Sequence, residues 1–252
     1  MKLLILGDIV GEEGLKFLES KIQTIRKDYK FNLLVVNGEN VTNGKGLSEA
    51  HYKRLMKMNV SAITMGNHTF RNKEIEKYID NSNVVRPLNI NVKHGYGFLT
   101  INYNNKLINI INLLGTFAMD VKFQVANPFV VLNDFLDKMP STDYTIVDFH
   151  AESTGEKYAL AHAFDGKVDL VYGTHTHVQT ADEQVLPGKT MFISDVGMTG
   201  PSGGVLGVKK EIIVNRMWHG HLDTFQVSKT PCMINGILVD LETKKIKRIN
   251  IK

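Results

Sequence analysis

Five apolar runs along the chain each end in side chains able to ligate a metal or move a proton. They are Asp8, Glu39 with Asn40, Asn67 with His68, His150, and His175 with His177. This inventory offers two carboxylates, amide oxygens and three or four imidazoles, with no thiolate. Such nitrogen and oxygen donors suit Mn, Fe or Zn, and the missing cysteines argue against a structural zinc site. One four-ligand site would not use all these groups, whereas two metals sharing a bridging carboxylate would. Each residue also has a plain structural explanation. Asp8 could cap or turn the chain, Glu39 could be a solvated loop carboxylate, and Asn67 could occupy a left-handed turn. His150 could be a hydrogen-bonded strand-end histidine. His175 and His177, two apart, point the same way in an extended chain, which suits a shared site or a surface strand. All of these explanations would have to hold independently at five strand ends, which favours one common site.

The elements that must position these groups follow from periodicity. Leu3–Leu6, Leu33–Val36 and Ala62–Met65 read as strands, separated by helical patterns at Leu15–Tyr29 and from an N-cap at Ser48 through Met56. Alternating strands and helices predict an α/β sheet that is at least partly parallel. Ligand sites form outside the carboxyl ends of strands in such sheets, so separate strand ends can converge. In the middle, Phe98–Tyr103 and Lys106–Leu113 flank Asn104-Asn105 as a hairpin. A helix is expected from Pro128 to Met139, then a strand at Tyr144–Val147. Ser153-Thr154-Gly155-Glu156 has the spacing of a capping box at the start of another helix. Further strands are expected at Val168–Tyr172 and Thr190–Ile193. A glycine-rich loop from Gly197 to Gly207, a short helix near Lys209–Arg216 and terminal strands complete the chain. No repeat or proline-rich linker divides it, so residues 1–252 are read as a single domain.

Composition narrows the function classes. The 252 residues carry a formal charge of +4, with 43% apolar and 22% charged residues, an ordinary globular balance. The single cysteine, Cys232, excludes an internal disulfide framework and fits a reducing compartment. The opening apolar run ends at Asp8, too short for a signal peptide or spanning helix, and no later run is long enough to cross a membrane. The expected location is cytoplasmic. Lys244, Lys245, Lys247 and Arg248 cluster near the end, and a lysine-guarded edge strand with apolar Ile246, Ile249 and Ile251 explains them better than a nucleic-acid patch. His51, His94, His162, His219 and His221 receive no role. The loops Asn43-Gly44-Lys45-Gly46 and Gly200-Pro201-Ser202-Gly203-Gly204 could bring amides and a lysine to a phosphate or base, or be plain turns; neither has Walker spacing.

The ordered set Gly7-Asp8-Ile9-Val10-Gly11, Asn37-Gly38-Glu39-Asn40, Gly66-Asn67-His68, Phe149-His150-Ala151-Glu152 and Gly173-Thr174-His175-Thr176-His177-Val178 resembles the calcineurin-like metallophosphoesterase superfamily. Within it the chain is similar to the bacterial YmdB-type cyclic-nucleotide phosphodiesterases, a group that Asp195-Val196-Gly197-Met198-Thr199-Gly200-Pro201 also matches. The resemblance implies a sandwich of two mixed β-sheets flanked by helices, with a dinuclear site at the strand ends. It would place Asp8 and His177 on one metal with Asn40 close by, Asn67, His150 and His175 on the second, and Glu39 between them. The metals would be Fe or Mn first, with Zn as a further option. His68 would lie outside the metals, facing the phosphate. Two features depart from the wider superfamily: Asp8-Ile9-Val10 lacks the usual histidine, and Glu39 replaces the usual bridging aspartate. Both are shared by YmdB-type proteins. Thr69 stands where the superfamily has an acid, which leaves the orientation of His68 open.

The implied reaction is phosphodiester hydrolysis by metal-hydroxide attack on phosphorus, from two cations roughly 3.5–4 Å apart, with His68 protonating the leaving oxygen. Cyclic nucleotides are the implied substrates, 2′,3′-cyclic AMP before 3′,5′-cyclic AMP. The alternatives are a phosphatase or nuclease on RNA ends, or a metal-bound regulatory protein acting through a partner. Family members often self-associate, so a homo-oligomer is admitted, although no heptad or amphipathic interface helix stands out.

Overall fold

Successive side chains of the opening run face different cores. Leu3 and Ile5 join one buried cluster and Leu4 and Leu6 another, so this strand is covered on both faces. That is why it reads as a continuous apolar run instead of an alternating one. The computed structural model describes residues 1–122, 124–220 and 223–252; His221 therefore lies outside the described residues.

The chain runs β1 (Lys2–Leu6), β2 (Asp8–Ile9), α1 (Gly11–Tyr29), β3 (Leu33–Asn37), α2 (Glu49–Lys57), β4 (Ala62–Thr64), β5 (Val84–Val85), β6 (Phe98–Tyr103) and β7 (Lys106–Leu114). It continues through α3 (Pro128–Lys138), β8 (Tyr144–His150), α4 (Thr154–Ala163), β9 (Leu170–Thr174), β10 (Gln184–Val185), β11 (Met191–Ile193), β12 (Met198–Pro201), α5 (Lys210–His219), β13 (Cys232–Asp240) and β14 (Lys245–Ile251). The first sheet has the order β2-β12-β13-β1-β3-β4-β5, with β14 on the free side of β13. The second has the order β10-β11-β9-β8-β7-β6. Both are mixed: β1, β3, β4 and β5 run parallel while β13 is antiparallel to β1, and β7, β8, β9 and β11 run parallel between antiparallel β6 and β10.

Three apolar layers hold this together. Leu3, Ile5 and Val35 of the first sheet meet Ile110, Ile146 and Tyr172 of the second between the sheets. Leu15, Leu18, Ile22 and Ile25 of α1 cover the outer face of the first sheet through Leu4, Leu34 and Val36. Leu132 of α3 and Leu160 of α4 cover the outer face of the second through Leu113, Val147 and Phe149. The architecture is the expected sandwich of two mixed sheets flanked by helices.

Local signals explain most boundaries. Ser48 Oγ accepts the His51 N–H at 3.3 Å at the start of α2. Asn104 and Asn105 both take positive φ, 50° and 62°, the pairing a tight hairpin turn demands. Two expectations are corrected. The supposed loop from Gly197 to Gly207 contains β12, which pairs in parallel with β2 and antiparallel with β13. Glycine and proline hide that strand from propensity. The capping box is half made: Ser153 Oγ accepts the Glu156 N–H at 3.4 Å, but Glu156 turns away to accept from Thr116 N and Oγ1, both at 2.9 Å. At the C-terminus β14 is an edge strand; Lys244 pairs with Asp169 and Arg248 with Glu183.

Candidate metal centre

Turns at the carboxyl ends of β1, β3 and β4 in the first sheet and β8 and β9 in the second meet at one place. Asp8 follows β1 after Gly7, where a Cβ would overlap the Gly197 carbonyl. Glu39 follows β3 in a turn that Asn37 closes by accepting the Glu39 N–H at 3.1 Å. Asn67 and His68 follow β4, and His150 is the last residue of β8. Gly66 is required by the site itself. A Cβ there would overlap both Glu39 Oε2 and His150 Nε2.

His150 Nε2 lies 3.1 Å from Glu39 Oε1, 3.2 Å from Asn67 Oδ1 and 3.1 Å from His175 Nδ1. Glu39, His150 and His175 each offer a ligand atom within 4.8 Å of the others. Asp8 is fully buried alongside: Oδ2 accepts the His175 N–H at 3.1 Å, and Oδ1 stands 3.9 Å from His150 Nδ1. Asp8 Oδ1 and Asn40 Oδ1 are buried without a hydrogen-bond partner among the described residues. Buried acceptors left in this way are costly unless a cation completes them.

The imidazoles are oriented for the same purpose. Thr174 Oγ1 donates to Asp148 Oδ1 at 2.7 Å, so it accepts from His150 Nδ1 at 2.8 Å and leaves the Nε2 lone pair facing the cluster. His175 Nε2 pairs with Glu152 Oε2 at 3.1 Å, turning the Nδ1 lone pair inward. His177 Nδ1 donates to the Leu206 carbonyl at 3.1 Å, which frees Nε2. A ligating histidine characteristically gives its other N–H to a carboxylate, hydroxyl or carbonyl in this way. His175 and His177 adopt φ of 99° and 64°, conformations that non-glycine residues seldom take. Hydrogen bonds hold that turn in place, with Thr176 N–H donating to Asp195 Oδ2 at 3.1 Å. Lys157 Nζ pairs with the same oxygen at 2.9 Å, and both side chains are buried.

Electrostatics agree with a site built for cations. Burial pushes the Asp8 carboxyl above the usual range, against the pull of His177 and His150. Burial also raises Asp148, to about 7. Glu39 is held well below its ordinary value; burial opposes this, and His150 and His68 outweigh it. Burial disfavours a charged His150, yet Glu39 and Asp8 lift it to about 9, while burial and His150 together depress His175 to about 3. The carboxylates favour a charge on His150, and that charge in turn disfavours one on His175.

His68 sits beside this cluster. Asn40 Nδ2 donates to Gly44 O at 2.9 Å and lies 3.1 Å from His68 Nδ1. Glu39 Oε1 is 3.3 Å from the same Nδ1. The orientation left open by Thr69 is thus supplied by Asn40 and Glu39; Thr69 Oγ1 instead donates to Gly66 O at 2.6 Å. A cavity of about 460 Å³ opens over Glu39, Asn67, His68, His175 and His177.

All eight residues singled out in the sequence lie in this neighbourhood. Glu152, Thr174, Asp148, Lys157 and Asp195 were not singled out. Glu152, Thr174 and Asp195 fall inside the matching motifs, the signal that could have found them. Of the histidines left without a role, His51 bonds Thr42, Ser48 and Glu12, and His94 pairs with Asp80.

A protein-family model described as YmdB-like protein matches residues 4–252. The 2′,3′-cyclic-nucleotide 2′-phosphodiesterase of Bacillus subtilis (strain 168) is 38% identical over 256 residues, covering 100% of this chain and 96% of that protein. The crystal structure of a novel phosphatase from Mycoplasma pneumoniae has a TM-score of 0.93 at 40% identity, over 100% of this chain and 93% of that one. A hypothetical protein from Thermus thermophilus also scores 0.93, at 32% identity, over 99% and 98% of the two chains. The chain belongs to the YmdB-like protein family.

Proposed function

We propose that this chain is a metal-dependent phosphodiesterase that hydrolyses cyclic nucleotides, 2′,3′-cyclic AMP first and 3′,5′-cyclic AMP second. The observation that carries this reading is the set of three imidazoles whose ligand nitrogens are freed by Thr174, Glu152 and the Leu206 carbonyl around buried Asp8 and Glu39. The name of the Bacillus subtilis relative supports the substrate class. Asp8 and His177, with Asn40, would hold one cation; Asn67, His150 and His175 would hold a second; Glu39 would serve both. Fe or Mn fits these donors best and Zn fits them also. Cations bound there would clamp phosphoryl oxygens and make a nucleophilic water available near neutral pH.

The chain's own residues do the rest. His68 faces the cavity, and its imidazolium form would give the Nε2 proton to the oxygen that leaves phosphorus, ending as the neutral ring. Protonated on both nitrogens, the ring has Glu39 Oε1 to receive Nδ1–H. Glu152 keeps His175 from turning, and Asp195 fixes the peptide between His175 and His177.

The test is hydrolysis of 2′,3′-cyclic AMP by metal-stripped protein, with and without Mn²⁺, identifying the product. Release of a single nucleotide monophosphate isomer only with Mn²⁺, abolished by Glu39→Gln, is the expected result. No turnover by protein that has bound its metals would reject the substrate.

A further inference from the structure

The cavity above the metal centre extends beyond the groups that would handle a phosphate. Its wall includes Val208 and Val227 and, among them, Phe225 with Lys45 and Arg216. Lys45 Nζ and Arg216 Cζ each lie over the Phe225 ring, 5.1 Å from its centroid. The side-chain contact that the structure gives each cation is the ring itself, a weak attraction at an exposed site, so a ligand's acceptors can compete for either. The ring is 39% exposed, which an apolar side chain on a cavity wall tolerates when something else covers it.

Lys45 is tied to the candidate centre through its own loop. Gly44, its neighbour, accepts from Asn40 Nδ2 at 2.9 Å, and a Cβ on Gly44 would sit 3.9 Å from Val227 Cγ2. The Asn43–Gly46 turn therefore touches a proposed ligand on one side and the segment carrying Phe225 on the other. A cavity of about 460 Å³ is large enough for a small ligand of nucleotide size. With the phosphate over the histidines, the remainder of a nucleotide has this wall to rest on.

We infer that Phe225 is the platform on which the substrate's nucleobase stacks, the base taking the place that one of the two cations holds over the ring, with Lys45 and Arg216 then serving its ring and ribose acceptors. The ligand class is a nucleoside phosphate, and the platform separates it from small phosphodiesters lacking a base. Aromatic rings accept any base face, so the preference set here is for a base as such. The inference rests on the phosphodiesterase reading for where the phosphate lies.

The experiment is calorimetric titration of the Mn²⁺-loaded protein with adenosine 3′-monophosphate and, separately, with inorganic phosphate. Wild type should bind the nucleotide more tightly than phosphate. Phe225→Ala should weaken the nucleotide roughly 5- to 150-fold, the range for losing one base–aromatic stack, with a far smaller effect on phosphate; Phe225→Trp should restore the nucleotide affinity. The inference is overturned if wild type binds both ligands equally, or if Phe225→Ala weakens both alike or neither. Turnover of 2′,3′-cyclic AMP separates the two claims. Nucleotide binding through Phe225 without hydrolysis would keep the platform and remove the phosphodiesterase reading. Hydrolysis with a kcat/KM indifferent to Phe225→Ala would do the reverse.

Discussion

Lys157→Met isolates the support beneath the histidine turn. Lys157 and Asp195 are 0% and 1% exposed, 2.9 Å apart, and the lysine stem packs where Gly173 leaves room for it. Methionine keeps much of that stem and removes the charge. Breaking a buried pair from one side costs about 3–5 kcal/mol, because the other charge stays behind. Asp195 keeps two amide donors, Thr176 N at 3.1 Å and Gly197 N at 2.8 Å, so the loss should fall at the lower end. In a chain of this size each kcal/mol moves the melting temperature about 2–4 °C, giving a drop of about 6–12 °C. Scanning calorimetry at neutral pH reads this directly. Because Asp195 also pins the peptide between His175 and His177, metal content measured by mass spectrometry should fall as well. A variant melting within about 2 °C of wild type, with undiminished metal, would refute the idea that this pair braces the turn.

Other perturbations probe different parts of the chain. Gly66→Ala should abolish metal uptake while circular dichroism stays native, since the nearest atoms its Cβ would meet belong to Glu39 and His150. His68→Ala should cut kcat by about 10²–10⁴ with full metal content, the size of a lost general acid. Arg54 forks across Glu19 and Glu12, and its hydrogen bonds hold the Glu19 carboxyl below its ordinary 4.5; for Glu12 burial opposes the shift and Arg54 outweighs it. Depressed carboxylates add stability above their unfolded pKa and lose it as pH falls through the folded one. Urea midpoints should therefore separate wild type from Arg54→Met at about pH 7 and draw together as pH falls below the ordinary carboxylate range.

The strand-end residues were legible because the sheets are buried on both faces. Each strand is an apolar run, so the polar side chain that ends it stands out, as Asp8 does after Leu6. The hairpin at Asn104-Asn105 was legible from turn chemistry that needs no tertiary context. β12 was not legible: Gly200 and Pro201 have poor strand propensity, and pairing with β2 and β13 is what makes the segment extended. The 3₁₀ turns at Lys73–Lys77 and Ile79–Asn81 gave no periodic signal either. Glu156 followed the capping-box rule in spacing but found a better partner in Thr116, distant in sequence. Glu152 and Thr174 were missed as supports for the same reason. Their importance lies in which nitrogen of another residue they occupy, and that depends on how β8 and β9 lie together.

The candidate ligands are divided between two sheets, with Asp8, Glu39 and Asn67 hanging from the first and His150 and His175 from the second. A cation bound among them would be a staple across the sandwich as well as a reagent. By mass action, a ligand held at about a hundred times its dissociation constant adds about 2.7 kcal/mol to the folded state, and at about a thousand times about 4.1 kcal/mol. Increments of that size alter how often a chain opens to cellular proteases. The amount of this protein in a cell would thus follow its metal supply, so that scarcity would thin the population of enzyme molecules as well as idle them.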